Sequence, residues 1–142
     1  MEQFRKIEEG MFLGPQPTAQ DLREARQAGI RTVIDFRMPG ETPTSNEALA
    51  AGSALDYVNI PVNKQNLSQS QIDELDRVMQ EKPGPFLVHC ASGARAAMLI
   101  ALRHARKHHW SARRTFDEAR AMGVDLESFR EFAAFVNEVT SH

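Results

Sequence analysis

Short apolar runs alternate with longer amphipathic stretches along this chain. Met11-Phe12-Leu13 reads as a brief strand ended by Gly14-Pro15-Gln16-Pro17. Thr18 then offers its hydroxyl as the cap of a helix running to about Ala28, which Gly29 closes. Thr32 to Phe36 is β-rich and mostly apolar, as an internal strand should be, and Met38-Pro39-Gly40 breaks it. A turn segment and a short helix near Glu47 to Ala51 follow. Tyr57 to Val62 gives a third strand, and Ser68 with Gln71 three residues later forms a capping-box pair for a helix reaching about Glu81. Lys82-Pro83-Gly84-Pro85 forces a turn before the fourth strand, Phe86-Leu87-Val88-His89. From about Ala94 to His108 the pattern is helical, with Met98, Ala101, Leu102 and Ala105 on one face. Two further helices are capped by Ser111 and Asp125, with Gly123 as the stop between them.

Strands separated by helices of this length imply βαβ units. The expected architecture is α/β, a mainly parallel central sheet of four to five strands flanked by helices on both faces. In such sheets ligands bind outside the carboxyl ends of the strands. That edge is where the chain's one cysteine, Cys90, falls.

The length of 142 residues fits a single domain spanning 1–142, and an apolar share of 42% with a charged share of 25% suits a globular core. Seventeen Lys+Arg against 19 Asp+Glu leave a net charge of −2, so the basic footprint of a nucleic-acid binder is missing. A single cysteine excludes an internal disulfide framework and any multi-cysteine metal cluster within this chain. No apolar run is long enough for a transmembrane helix, and the start Met1-Glu2-Gln3-Phe4-Arg5-Lys6 is charged where a secretion signal would be apolar. The expectation is a cytoplasmic protein with no membrane partner, no metal and no cofactor.

Candidate chemistry gathers at one loop. His89-Cys90-Ala91-Ser92-Gly93-Ala94-Arg95 joins a buried strand to a helix through small residues, with a glycine where the backbone must turn. Successive backbone N–H groups at a helix N-terminus suit an oxyanion, so Ala91, Ser92, Gly93, Ala94 and Arg95 are the candidate substrate-binding residues. The guanidinium of Arg95 adds paired donors for two oxygens of one anion. The same field favours the thiolate of Cys90, which would attack a phosphorus or sulfur centre held in the loop. His104 and His108, four apart on a helix, lack an evident third ligand for zinc. Arg103, Arg106, Lys107, Arg113 and Arg114 read as a solvated face.

Gly14-Pro15-Gln16-Pro17, the run from Gly29 to Arg37, Ile60-Pro61-Val62 and His89-Cys90-x-x-Gly93-x-Arg95 together resemble the bacterial beta-lactamase hydrolase-like protein, phosphatase-like domain. That family is related to dual-specificity and tyrosine phosphatases. The resemblance covers nearly the whole chain and implies the cysteine-phosphatase-like fold. It implies that Cys90 is the nucleophile, Arg95 the anion fork and His89 the residue that helps set the thiolate.

Two departures keep alternatives open. Only four residues separate Cys90 from Arg95, one fewer than in the typical phosphatase signature and similar to the loops of rhodanese-type sulfurtransferases. Ala96 follows the arginine where a hydroxyl residue commonly assists turnover, which leaves Ser92 to substitute. A leaving group also needs an acid, yet Asn63, Lys64, Gln65 and Asn66 after the third strand offer no carboxylate. Glu41 is either that acid or a partner of Arg95; Asp35 and Asp56 are the other acids in view. The expected partner is an anion, a phosphate ester or thiosulfate or a persulfide. The expected activity is a phosphocysteine phosphatase, with persulfide transfer through Cys90 or a non-catalytic anion-binding module as alternatives. The sequence is silent on oligomeric state.

Overall fold

In the computed structural model, residues 3–41 and 46–141 are described. Five strands form one sheet: β1 (Arg5–Glu8), β2 (Met11–Gly14), β3 (Thr32–Asp35), β4 (Asp56–Asn59) and β5 (Phe86–His89), in the order β1-β2-β5-β3-β4. β2, β5, β3 and β4 run parallel, while β1 pairs antiparallel with β2 at one edge. Because side chains alternate along a strand, the register sends Leu13, Val88 and Ile34 to one face and Phe12, Leu87 and Val33 to the other.

Helices cover both faces, as the alternation of strands and helices predicts. On the first face Ile34 and Val88 bury against α3 (Gln69–Glu81), α4 (Ala94–His108), α5 (Ala112–Ala121) and α6 (Arg130–Thr140), through Leu75, Met98, Leu102, Phe116 and Val136. On the second, Val33 and Leu87 meet Leu22 and Ala25 of α1 (Ala19–Gln27) and Ala50 of α2 (Asn46–Gly52). α4 is the central helix, with nine buried residues, five of them alanine. Small side chains let it lie close to the sheet. Among the described residues no helix is long and apolar enough to cross a membrane.

The caps stand where the sequence places them. Thr18 Oγ1 accepts from the Asp21 amide at 3.0 Å while Asp21 Oδ2 accepts from the Thr18 amide at 2.9 Å. Ser68 Oγ accepts from the Ser70 amide at 3.2 Å, and Gln71 Oε1 accepts from the Ser68 amide at 3.2 Å. Loss of either hydroxyl would cost about 1 kcal/mol.

The five strands lie within the expected four to five, one of them unplaced by the pattern, and two expected boundaries change. β1 is an added strand, invisible to pattern because Arg5 and Lys6 are exposed and only one side of its ladder is paired. The third expected strand stops at Asn59; Ile60 and Val62 still donate to Asp35 and Phe36 carbonyls at 2.9 and 3.1 Å, but Pro61 has no N–H to continue the ladder. Asp125 caps a 3-10 turn at Leu126–Ser128 rather than α6, which starts after Phe129 with no side-chain cap. The turn segment expected before α2 falls on 42–45, outside the described residues.

Candidate active site

β5 carries His89 and Cys90 to the carboxyl edge of the sheet, and α4 leaves from the same edge at Ala94. The chain reverses at Gly93, whose φ of +101° lies in the region that side chains disfavour. This turn aims the Gly93 N–H at Cys90 Sγ, 3.0 Å away. Ala91 and Ser92 stay exposed above a fully buried Cys90. Gln16 donates its backbone N–H to the Ala91 carbonyl at 3.3 Å, tying the loop to the connection between β2 and α1.

Arg95, in the first turn of α4, points its guanidinium at an acid. Nη1 donates to Glu41 Oε1 at 2.6 Å and Nη2 to Glu41 Oε2 at 2.9 Å; Nη1 also donates to the Val62 carbonyl at 3.1 Å. Counting the five N–H donors of a guanidinium, these bonds leave the Nε hydrogen and one on Nη2. Those two form the side-on edge, the pair that matches two oxygens of an anion. The Cys90 sulfur is among the groups acting on Arg95.

The same contacts settle the protonation of Glu41. Hydrogen bonds from Arg95, opposed by burial and reinforced by the Met38 amide, pull its carboxyl down to about 2. It is therefore ionised at neutral pH. Both oxygens of Glu41 accept from Arg95.

The other acids in view are placed away from the cleft. Burial raises the Asp35 carboxyl, but the Arg37 hydrogen bonds, the nearby His89 and the Tyr57 hydroxyl together outweigh it and hold Asp35 below its usual range. Its oxygens accept from Arg37 N, Nε and Nη2 at 2.9, 3.0 and 3.0 Å and from the Tyr57 hydroxyl at 2.7 Å. Asp56 opens β4 opposite Thr32, at the amino end of the strands, so it lies across the sheet from Cys90.

His89 is wholly buried. Its Nδ1 lies 3.4 Å from the Cys90 carbonyl oxygen and 3.9 Å from Asp35 Oδ1. Burial pushes its pKa down to about 4 despite the nearby Asp35 charge. The ring is neutral at pH 7 and braces the backbone from which the cysteine projects.

Beside Arg95 opens a cleft of about 320 Å³ lined by Met38, Glu41, Val62, Asn63, Lys64, Arg95 and Phe132. Asn63 and Lys64 come from the loop where the sequence offers no carboxylate, and Glu41 is the one acid among these lining residues. Sequence reasoning missed Phe132, a wall supplied by α6 with no local signal linking it to the cysteine loop.

The rejected readings also find places. His104 Nε2 is 2.8 Å from Glu8 Oε1, and its ring stacks with His108 and Trp110 at 6.1 and 5.8 Å. No group of three or more potential metal ligands occurs among the described residues. Arg103 and Arg106 pair with Asp76, Arg113 with Asp117 and Arg114 with Glu118, so most of the basic run is neutralised by neighbours.

A lone cysteine at the carboxyl edge of a mainly parallel sheet, followed by a glycine turn and an arginine in the first turn of a helix, defines a cysteine-phosphatase-like α/β fold. Solved structures share it. TpbA of Pseudomonas aeruginosa in complex with pTyr superposes with a TM-score of 0.74 over 94% of this chain and 82% of its own, at 17% identity. The core catalytic domain of a Saccharomyces cerevisiae PP-IP phosphatase in complex with citrate does so with a TM-score of 0.71 over 94% and 83%, at 16% identity.

The chain belongs to the family of the beta-lactamase hydrolase-like protein, phosphatase-like domain, whose model matches residues 3–107. The beta-lactamase hydrolase-like protein of Agrobacterium fabrum is 30% identical over 126 residues, 85% of this chain and 29% of the relative. The chain thus spans less than a third of the curated relatives it matches.

Proposed function

We propose that this domain is a cysteine-dependent phosphomonoester hydrolase. The observation that carries the reading is that the Gly93 N–H and the Arg95 guanidinium both act on the Cys90 sulfur. Gly93 N–H meets Cys90 Sγ, and Arg95, held by Glu41 and Val62, also interacts with the Cys90 sulfur. The thiolate of Cys90 attacks phosphorus, the bond to the leaving oxygen breaks, and that oxygen takes a proton from water. A second water then attacks the phosphocysteine, releasing inorganic phosphate and restoring the sulfur. Backbone N–H groups of 91–95 and the Arg95 edge hold the equatorial oxygens, where charge develops. Ser92 is the hydroxyl in the loop able to aid the second step. With Glu41 ionised at neutral pH, aryl phosphates and other esters with good leaving groups are the favoured substrates.

A second reading rests on the same acid. Persulfide transfer needs no proton donor, and the four residues between Cys90 and Arg95 match a rhodanese-like loop length. There the Cys90 thiolate takes the sulfane sulfur of thiosulfate, sulfite leaves, and an external thiol removes the sulfur.

Phosphate release from an aryl phosphate, measured beside mass spectrometry of Cys90 after thiosulfate, separates the readings. Release that Cys90→Ser abolishes supports the hydrolase. A persulfide on Cys90 without phosphate release replaces it with the sulfurtransferase. Phosphate binding without either reaction leaves an anion-binding module.

A further inference from the structure

The cleft beside Arg95 is larger than the anion loop needs. Its volume of about 320 Å³ is that of a small-molecule site. Its apolar walls are Met38, Val62 and Phe132. Met38 and Phe129 are the exposed large hydrophobic side chains among the described residues, and both belong to this neighbourhood: Met38 lines the cleft, and the Phe129 ring lies 5.4 Å from that of Phe132. Isolated apolar side chains need no explanation, but an exposed Met38 beside Val62 and Phe132 in one cleft gives a ligand's body an apolar surface to rest on.

The charges of the cleft do not cancel. Glu41 is consumed by Arg95 through two hydrogen bonds. Lys64, exposed on the loop after β4, also lines the cleft and makes no ion pair among the described residues. Many other cations are engaged, including Arg37, Arg77, Arg103, Arg106 and Arg120. A lysine without an ion pair, lining the same cleft as the arginine of the anion loop, makes a second point of positive charge in one concave site.

We propose that Lys64 is a specificity-determining residue that reads a second anionic group on the substrate. The substrate class is a phosphomonoester whose apolar body rests on Met38, Val62 and Phe132 and carries a carboxylate or further phosphate at the end facing Lys64. The inference rests on the reading above only in seating the substrate's first anion at the Cys90 loop. Binding at Lys64 is measured apart from the reaction that follows.

Calorimetric titration of the Cys90→Ser protein with phenyl phosphate and with its 3- and 4-carboxy derivatives tests it, since this variant binds without turnover. One carboxylated isomer binds about 5-fold tighter than phenyl phosphate, the size of an exposed ion pair. In Cys90→Ser/Lys64→Ala that ratio falls to about 1, Lys64→Arg in the same background keeps it, and Lys64→Glu inverts it. Equal binding of all three ligands overturns the proposal, as does a preference that survives Lys64→Ala, or the failure of every ligand to bind. Hydrolysis of phenyl phosphate by the unaltered protein is measured separately. Turnover with a ratio of 1 sinks the Lys64 subsite and spares the hydrolase reading. A Lys64-dependent ratio without turnover does the reverse.

Discussion

Glu41 grips Arg95 end-on, with oxygens 2.6 and 2.9 Å from Nη1 and Nη2, and so leaves the side-on edge of the guanidinium outside that ion pair. Glu41→Gln keeps the shape but removes the charge and one acceptor oxygen. We expect kcat/KM for an aryl phosphate to fall about tenfold, the loss of one charge-assisted hydrogen bond, with most of the change in KM. The alkaline limb of the pH-rate profile, where a proton donor would lose its proton, should be the same in this variant as in the unaltered protein. If that limb disappears, Glu41 is the proton donor and its role as a positioning residue is lost.

Two groups give acid sensitivity in separate windows. The folded chain holds His89 at about 4 against the usual 6.5, because burial resists the charged ring. Between those values the unfolded chain takes up a proton that the folded one refuses, so stability falls as pH falls from 6.5 toward 4. Glu41 is held at about 2 against the usual 4.5, so its contribution is complete above 4.5 and is lost as pH falls toward 2. Urea midpoints at pH 7, 5.5, 4 and 3 should show His89→Asn flattening the upper window and Glu41→Gln the lower. Parallel pH curves for all three proteins would refute the assignment.

Asp35 and Arg37 form a buried pair, with side chains 2% and 6% exposed. Asp35→Asn removes the negative charge facing Arg37 in the interior and should cost about 3 kcal/mol, read from urea unfolding. A loss below about 0.5 kcal/mol, the level of an ordinary surface substitution, would show that the pair is not what holds this strand end.

At Gly93 a methyl group would meet nothing closer than the Gly14 carbonyl oxygen at 3.8 Å, so space is not the constraint. Backbone conformation is, at φ +101°. Gly93→Ala should cost about 1–2 kcal/mol and weaken phosphate binding, because relaxing the turn swings the N–H away from Cys90. Thermal unfolding and phosphate titration check both effects; a variant that is destabilised yet binds phosphate as before would separate the turn from the anion loop.

Local chemistry explains what could be read in advance. Thr18, Ser68 and Ser111 mark helix starts because a cap is decided within three residues, and each lies at its expected position. The segment Phe86–His89 followed by a helix from Ala94 to His108 is equally local. β1 escaped because an exposed edge strand of Arg5, Lys6, Ile7 and Glu8 has no apolar alternation to detect. The choice between two roles for Glu41 depended on a contact spanning 54 residues, which no spacing rule reaches. Phe132 and Lys64 share one cleft for the same reason, brought together by α6 and the loop after β4.

The dense packing of α4 bears on how such a domain can diverge. Its buried residues serve the core and the anion loop at once, because the helix that fills the interior is the helix whose first turn presents Arg95. Enlarging Ala97 or Ala101 would push the helix off the sheet and move the loop with it. Met38 and Lys64, by contrast, sit on surface loops that touch the cleft without supporting that helix. Drift at these rim positions can retune which anions enter while the sulfur, its N–H donor and its arginine stay in register. On the proposed reading, the chemistry and the substrate preference fall on either side of a physical boundary, the line where the core of α4 ends and the loops begin.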